Sequence, residues 1–250
     1  MYKLPMNLLG KPLKVLVIGV GGTGSAIAKE LVQLDTTLKA LDERGGFDVT
    51  LADGSNVSEA NIARQSFFPT QVGENKAEAM AWTANNLYGK EWHAMNTHFD
   101  VSKNASVFRS FDIVITALDR PSVRYAISLS KANFLWLDMG NDATSGQVVI
   151  GEVSTKEKTL PNICDFYDYS ELSDADAEIK SCSAEESISR QELGVNQFAA
   201  RIGAQLLWNL IRHGELKSNG AFFDAKALSV DPITKDEWQF LGFETTRQSA

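Results

Sequence analysis

The sequence predicts a Rossmann-like α/β fold, doubly wound, whose mostly parallel sheet becomes mixed and antiparallel toward the C-terminus. Three observations predict it. Short apolar, β-branched runs at 14–19, 47–52, 111–118 and 135–139 alternate with stretches of helical periodicity, the pattern of parallel strands joined by helices. The string Gly19-Val-Gly-Gly-Thr-Gly24 separates the first strand from the first helix, where an open sheet turns its backbone toward a phosphate-bearing ligand. Finally, 146–153 reads as a strand with no long helix before it, so it runs back along its predecessor.

Taken in order, 14–19 is the first strand, and Ile27, Leu31, Leu34 and Leu38 recur at helical spacing behind the glycines, giving a helix over 24–38. Residues 47–52 form the second strand. A helix over 74–88 follows, with Ala77, Met80, Ala81, Ala84 and Leu87 on one stripe. After the core strand at 111–118, Pro121 suits the first turn of a helix over 121–133. From 155 to 183 the chain turns polar and acidic, with Asp165, Asp168, Glu171, Asp174, Asp176 and Glu178, and reads as a crossing loop. A long helix is expected over 184–212 with Phe198, Ile202, Leu206 and Leu210 inward, then a hairpin from 221–224 and 227–230. Beyond about residue 236 an edge segment or a tail remains.

Bulk properties narrow the function. The chain has 250 residues, 44% hydrophobic and 22% charged, an ordinary globular composition. A formal net charge of −8 and a pI near 5.0 argue against nucleic acid as a main partner, since that affinity comes from neutralising phosphates with cations. The two cysteines, Cys164 and Cys182, form no C-x-x-C, so no disulfide framework or self-contained zinc knuckle is expected. No apolar run approaches the roughly 20 residues that span a bilayer. A cytoplasmic location and no membrane partner are the expectations.

The candidate site starts at Gly19, Gly21, Gly22 and Gly24, whose backbone N–H groups together with the helix N-terminus form a cradle for phosphate oxygens. Asp53 closes the second strand, placed to accept hydrogen bonds from a ribose. It suits NAD and ATP equally. Next come Asn61, Arg64 and Gln65, then Lys76. A planar guanidinium matches the oxygens of a triphosphate, and Lys76 opens a helix, where a cation is unfavourable unless an anion offsets it. Against these stand plainer readings: a surface arginine, a solvated first turn, and a helix cap for Asn61. Asp119 ends a core strand on the side where such sheets expose their ligand crevice, suited to Mg²⁺ on the phosphates or to capping the next helix. The histidines His93, His98 and His213 are scattered and are read as structural.

These residues carry a resemblance. Gly19 to Gly24, Asp53, Asn61 with Arg64-Gln65, Gly73 with Asn75-Lys76, Ala117-Leu-Asp119 with Arg124, and Cys182 before the long helix together resemble the ThiF, MoeB and HesA superfamily of ubiquitin-activating-like adenylyltransferases. Within it the chain is most similar to the ThiF-related protein of the PRTRC system. The resemblance implies one adenylation domain over 1–250, with 14–140 as the nucleotide-binding half, 155–183 as the crossing loop and 184–250 as the long helix and closing hairpin. It implies ATP and Mg²⁺ as cofactors, Arg64, Lys76 and Asp119 as catalytic groups with Asp119 on the metal, and Cys182 as an acyl acceptor. The implied partner is a ubiquitin-like or sulfur-carrier protein, and the implied assembly a homodimer. Relatives have Asp-Asn where this chain has Asp119-Arg120, carry paired zinc-binding cysteines that it lacks, and carry an N-terminal arginine absent from residues 1–13. No structural zinc is therefore expected. An NAD-binding oxidoreductase and a nucleotide-binding module without chemistry are the alternatives.

Overall fold

A strand whose two faces both carry large aliphatic side chains needs cover on each side, and the first long strand, β2 (Leu13–Ile18), is of that kind. Val15, Leu16, Val17 and Ile18 are all buried. Alternate residues of a strand point to opposite faces, so both faces of the sheet are covered here. The structure, a computed structural model, describes residues 1–8, 10–41, 45–100, 106–118, 120–172, 174 and 190–243. Asp119 and Cys182 lie outside the described residues.

β2 pairs in parallel with β3 (Phe47–Ala52) on one edge and β5 (Ile113–Thr116) on the other. Beyond them lie β4 (His93–Met95) beside β3 and β6 (Phe134–Asn141) beside β5, again parallel. Parallel neighbours need crossovers. Those present are α1 (Gly22–Ala40) between β2 and β3, α3 (Lys76–Tyr88) between β3 and β4, and α4 (Pro121–Ser128) between β5 and β6. The chain therefore winds outward from β2 to β4, then returns to β5 and winds the other way. That reversal makes a crevice at the carboxyl ends of β2 and β5, where open α/β sheets bind ligands.

The sheet then turns antiparallel, as expected. β7 (Ser145–Val153) folds back on β6, and β9 (Ser218–Asp224) and β10 (Ser229–Thr234) continue outward, giving the order β10-β9-β7-β6-β5-β2-β3-β4. The long helix α6 (Val195–His213) packs against α1 and lies over β6, β7 and β9. Gly214, left-handed at φ 75°, stops it. A two-stranded pairing of β1 (Tyr2–Lys3) with β8 (Glu215–Leu216) ties the N-terminal segment to the end of α6. Tyr2 also donates its hydroxyl to Glu152 Oε1 at 3.0 Å, and burial next to that carboxylate drives the phenol pKa far up. No described helix is long and apolar enough to cross a membrane.

Four expectations are corrected. Leu87 is 55% exposed, because the last turn of α3, with Tyr88 also outward, stands clear of the core. Among the described residues the long helix begins at Val195, well after 184. Just before it the Glu192 N–H donates to Ala143 O, tethering the chain to the β6–β7 turn and off a helical path. The segment 155–183 is not all exposed loop: α5 (Ile163–Phe166) packs on β7 and α4, with Leu160, Asn162 and Ile163 buried. Asn162 caps it, and Lys158 pairs with Asp165. Last, the stretch from about residue 236, expected as an edge segment or a tail, opens within a short helix, α7 (Lys235–Trp238), whose Trp238 is buried and donates Nε1–H to Asn219 Oδ1 at 2.8 Å.

Candidate nucleotide site

The turn after β2 works only with glycines. Gly19 has φ 86°, a left-handed conformation that residues with a Cβ rarely adopt. A Cβ on Gly24 would stand 1.9 Å from the Gly19 carbonyl oxygen, so the helix could not start so close to the strand. A Cβ on Gly22 would collide with Asn196, whereas at Gly21 nothing lies within 4 Å of that position. Gly21 thus leaves the mouth of the turn open to a ligand. Gly21 is also the N-cap of α1, with no side-chain cap and no acidic residue in the first turn. The first N–H groups of a helix have no intrahelical acceptor. In this 19-residue helix they form an anion cradle with the positive end of the dipole behind it.

Asp53 fixes the turn from the side. The Val20 N–H donates to Asp53 Oδ2 and the Ser55 N–H to Oδ1, both at 2.7 Å, and the Gly19 N–H donates to Ala52 O at 2.9 Å. Lys76 stands close enough to feel this carboxylate. Burial holds its ammonium below the ordinary lysine range, and Asp53 pulls it partly back. Buried Asn75 sets that placement: its Oδ1 caps α3 by accepting from Ala77 and Glu78 N–H groups, and its Nδ2 donates to Asp53 O at 2.8 Å and to Asn96 Oδ1 at 2.9 Å.

Asn61, Arg64 and Gln65 surround the short α2 (Glu59–Ile62). Asn61 is buried and its Oδ1 accepts from the Ser58 N–H at 2.9 Å, so the capping role is realised. The Arg64 and Gln65 N–H groups donate to Asn61 O, and the Ser66 N–H donates to Ser25 Oγ at 3.0 Å. That last bond clamps the Arg64-Gln65 segment to the first turn of α1. Arg64 is half-buried, which lowers its pKa, and its guanidinium approaches Glu192 O at 3.4 Å. Gln65 Oε1 is enclosed without a donor among the described residues.

One chain of hydrogen bonds therefore joins the glycine turn, Asp53, Asn75 beside Lys76, Ser25, and the Arg64-Gln65 segment. Geometry for Asp119 and Cys182 lies outside the described residues, although the end of β5 leading toward position 119 is beside the turn, with the Ala117 N–H donating to Ile18 O at 3.0 Å. No group of three or more His, Cys, Asp or Glu among the described residues could hold a metal ion. A Mg²⁺ there would be of the kind bound by one or two carboxylates and substrate phosphates. The open face at Gly21 and the uncapped start of α1 fit a phosphate-bearing ligand.

Sequence reasoning missed two buried polar networks at the same edge of the sheet. In the first, Arg124 donates its Nε–H to Asp138 Oδ1 at 2.9 Å and Oδ2 at 3.0 Å. Thr116 donates to Asp138 at 2.6 Å and Trp136 to Thr116 at 2.8 Å. The Tyr169 ring covers the guanidinium at 5.6 Å. Cys164 lies under this cluster, 3.5 Å from Arg124 O, and burial pushes its thiol up to about 12, the setting of an inert cysteine. In the second, Thr23, Asn141 and Asn196 join α1, β6 and α6. Arg124 is marked in the sequence only through the resemblance, and the remaining members of both networks only as polar residues in apolar segments.

Known proteins resemble the chain over limited stretches. The adenylyltransferase and sulfurtransferase UBA4 of Yarrowia lipolytica is 29% identical over 116 residues, 46% of this chain and 27% of that protein. The ubiquitin-like modifier-activating enzyme 5 of Caenorhabditis elegans is 28% identical over 150 residues, 54% of this chain and 33% of that protein. The matched stretches span a third or less of these relatives. In fold, E. coli MccB, crystallised with ATP, superposes with a TM-score of 0.61 at 17% identity, covering 90% of this chain and 64% of that one. The family model described as "ThiF family" matches residues 10–239, a span that takes in every strand of the eight-stranded sheet. By that match the chain belongs to the ThiF family.

Proposed function

We propose that the chain is an ATP- and Mg²⁺-dependent adenylyltransferase that activates a carboxylate, the C-terminal glycine of a ubiquitin-like or sulfur-carrier protein. The observation that carries this reading is the pairing of an uncapped helix N-terminus at the glycine turn with two cations, Arg64 and Lys76, held by the connection after β3. Hydride transfer needs no such cations. The relatives named for ubiquitin-like modifier activation and adenylyl transfer support it.

In this reading the partner's carboxylate oxygen attacks the α-phosphorus. One oxygen–phosphorus bond forms, the bond to the α–β bridging oxygen breaks, and pyrophosphate leaves with the electron pair. The nucleophile is already ionised, so no general base is needed. The residues align and neutralise: the turn's N–H groups and Lys76 hold phosphate oxygens, Arg64 offsets the growing charge, and Asp53 receives ribose hydroxyls. Mg²⁺, held by Asp119, would add charge neutralisation on the phosphates. Cys182 is the proposed acceptor of the acyl group: its thiol gives its proton to water, the sulfur attacks the acyl carbon, and the carbon–oxygen bond to AMP breaks with AMP leaving with the electron pair, so that a thioester remains.

Exchange of labelled pyrophosphate into ATP, with a candidate ubiquitin-like protein ending in glycine, tests the reading. NAD binding without any ATP turnover would instead favour the oxidoreductase. A further prediction concerns pH. Because burial lowers the Lys76 pKa, its proton is lost at lower pH than from a free lysine, so kcat/KM, which reports the free enzyme, is expected to fall early on the alkaline side. Lys76→Arg, which stays charged there, is expected to be slower throughout but to lose that alkaline fall. An identical fall in both enzymes would assign it to another group.

A further inference from the structure

We propose that Asn196, at the start of α6, is a nucleotide-contacting residue whose side-chain amide donates to the phosphates held over the Gly21–Gly22 turn. This rests on the reading of the site as one for a nucleoside triphosphate, and adds to it a donor from the far end of the sequence. Three observations carry it. Asn196 is 6% exposed, a polar side chain set into the floor of the turn. Its carbonyl oxygen accepts from Asn141 Nδ2 at 3.3 Å and shares the one Thr23 hydroxyl proton, at 3.0 Å, with Asn141 Oδ1. The carboxamide is therefore fixed with its nitrogen on the opposite side, and that nitrogen is turned to Gly22, 2.5 Å from where a Cβ would stand.

Among the described residues, no acceptor meets Asn196 Nδ2. That N–H is not among the enclosed side-chain atoms left unmatched, so water reaches it and a ligand can take the water's place, and it lies beside the uncapped first turn of α1. An anion there answers both. The lead into α6 already borders the site, since Arg64 approaches Glu192 O. Thr23 Oγ1 donates to Asn141 Oδ1 at 2.8 Å as well as to Asn196, so Thr23 and Asn141 are positioning residues. They aim the amide and touch no phosphate through these groups.

The test is calorimetric binding of Mg·ATP and of adenosine to the wild type, Asn196→Ala, Asn196→Asp and Asn141→Ala, each checked for folding by its thermal melt. Asn196→Ala is expected to weaken ATP roughly 10- to 100-fold, the range for a hydrogen bond to a charged group, and to leave adenosine unchanged. Asn196→Asp keeps the shape but presents a carboxylate, so it is expected to lose more ATP affinity than the alanine variant, again sparing adenosine. It carries the test should the alanine variant not fold. Asn141→Ala is expected to fall between wild type and Asn196→Ala. Unchanged ATP binding in both Asn196 variants, or equal losses of ATP and adenosine, overturns the inference while leaving the functional reading standing. A wild type that binds no ATP overturns that reading itself, and is seen before any variant is compared.

Discussion

Arg64→Ala is expected to slow pyrophosphate exchange by roughly 10²–10³-fold, the cost of removing one preorganised charge-stabilising donor from a catalytic site. The expectation follows from how the residue is held. Asn61 fixes the Arg64 backbone, the Ser66–Ser25 hydrogen bond presses the segment on the first turn of α1, and the guanidinium is half-buried. Burial lowers its pKa, but an arginine starts so high that the cation persists at any working pH. A charge fixed in a partly desolvated place is already oriented when negative charge grows on the phosphates. If Arg64 acts mainly in that transition state, kcat and kcat/KM fall together, whereas a rise in KM alone would assign it to ground-state binding. Arg64→Lys should recover only part of the rate, because an ammonium lacks the two-pronged geometry. The melting temperature should barely move, since the backbone bonds of the segment survive. Exchange that proceeds undiminished in Arg64→Ala would take the residue out of the mechanism.

How much of this was legible in the sequence depends on whether the information is local. The glycine turn was, because strand, turn and helix are contiguous and Gly19 and Gly24 have steric reasons within the turn itself. The places of Asp53 just after β3 and of Lys76 at the start of α3 were as well, since both sit at element boundaries. The antiparallel turn of the sheet at 146–153 followed from a missing helix. By contrast, the role of Asn75 as a clamp on Asp53 needs the end of β3 and the start of α3 in contact, which spacing does not reveal. The start of α6 was misplaced because helical propensity says nothing of the tether between Glu192 and Ala143. Leu87 fitted the stripe of α3 by periodicity alone, but burial also requires something to pack against. Asn196 reaches the glycine turn from the other end of the chain, and no local pattern announces that.

The same limit applies to the pair with the largest expected effect on stability. Asp138 stands on β6 in what reads as a plain core strand, yet it is 1% exposed and holds Arg124 with both carboxylate oxygens. Asp138→Asn keeps the shape, removes the charge and turns an amide donor toward the arginine. Breaking a buried ion pair from one side costs about 3–5 kcal/mol, which for a chain of this size corresponds to a melting temperature lower by roughly 6–20 °C. Thr116, which donates to Asp138 and accepts from Trp136, would lose its anionic partner too. Replacing both members, Arg124→Met with Asp138→Leu, should return most of the stability, because well-packed apolar side chains often replace a buried pair at little cost. The double variant also separates two roles for Arg124. If the arginine serves only the fold, exchange activity returns with the stability; if it serves the site at the ends of β5 and β6, the protein is stable and slow. A loss in Asp138→Asn below about 1 kcal/mol, the worth of an exposed pair, would mean that water reaches Arg124 and that the network is not a buried one.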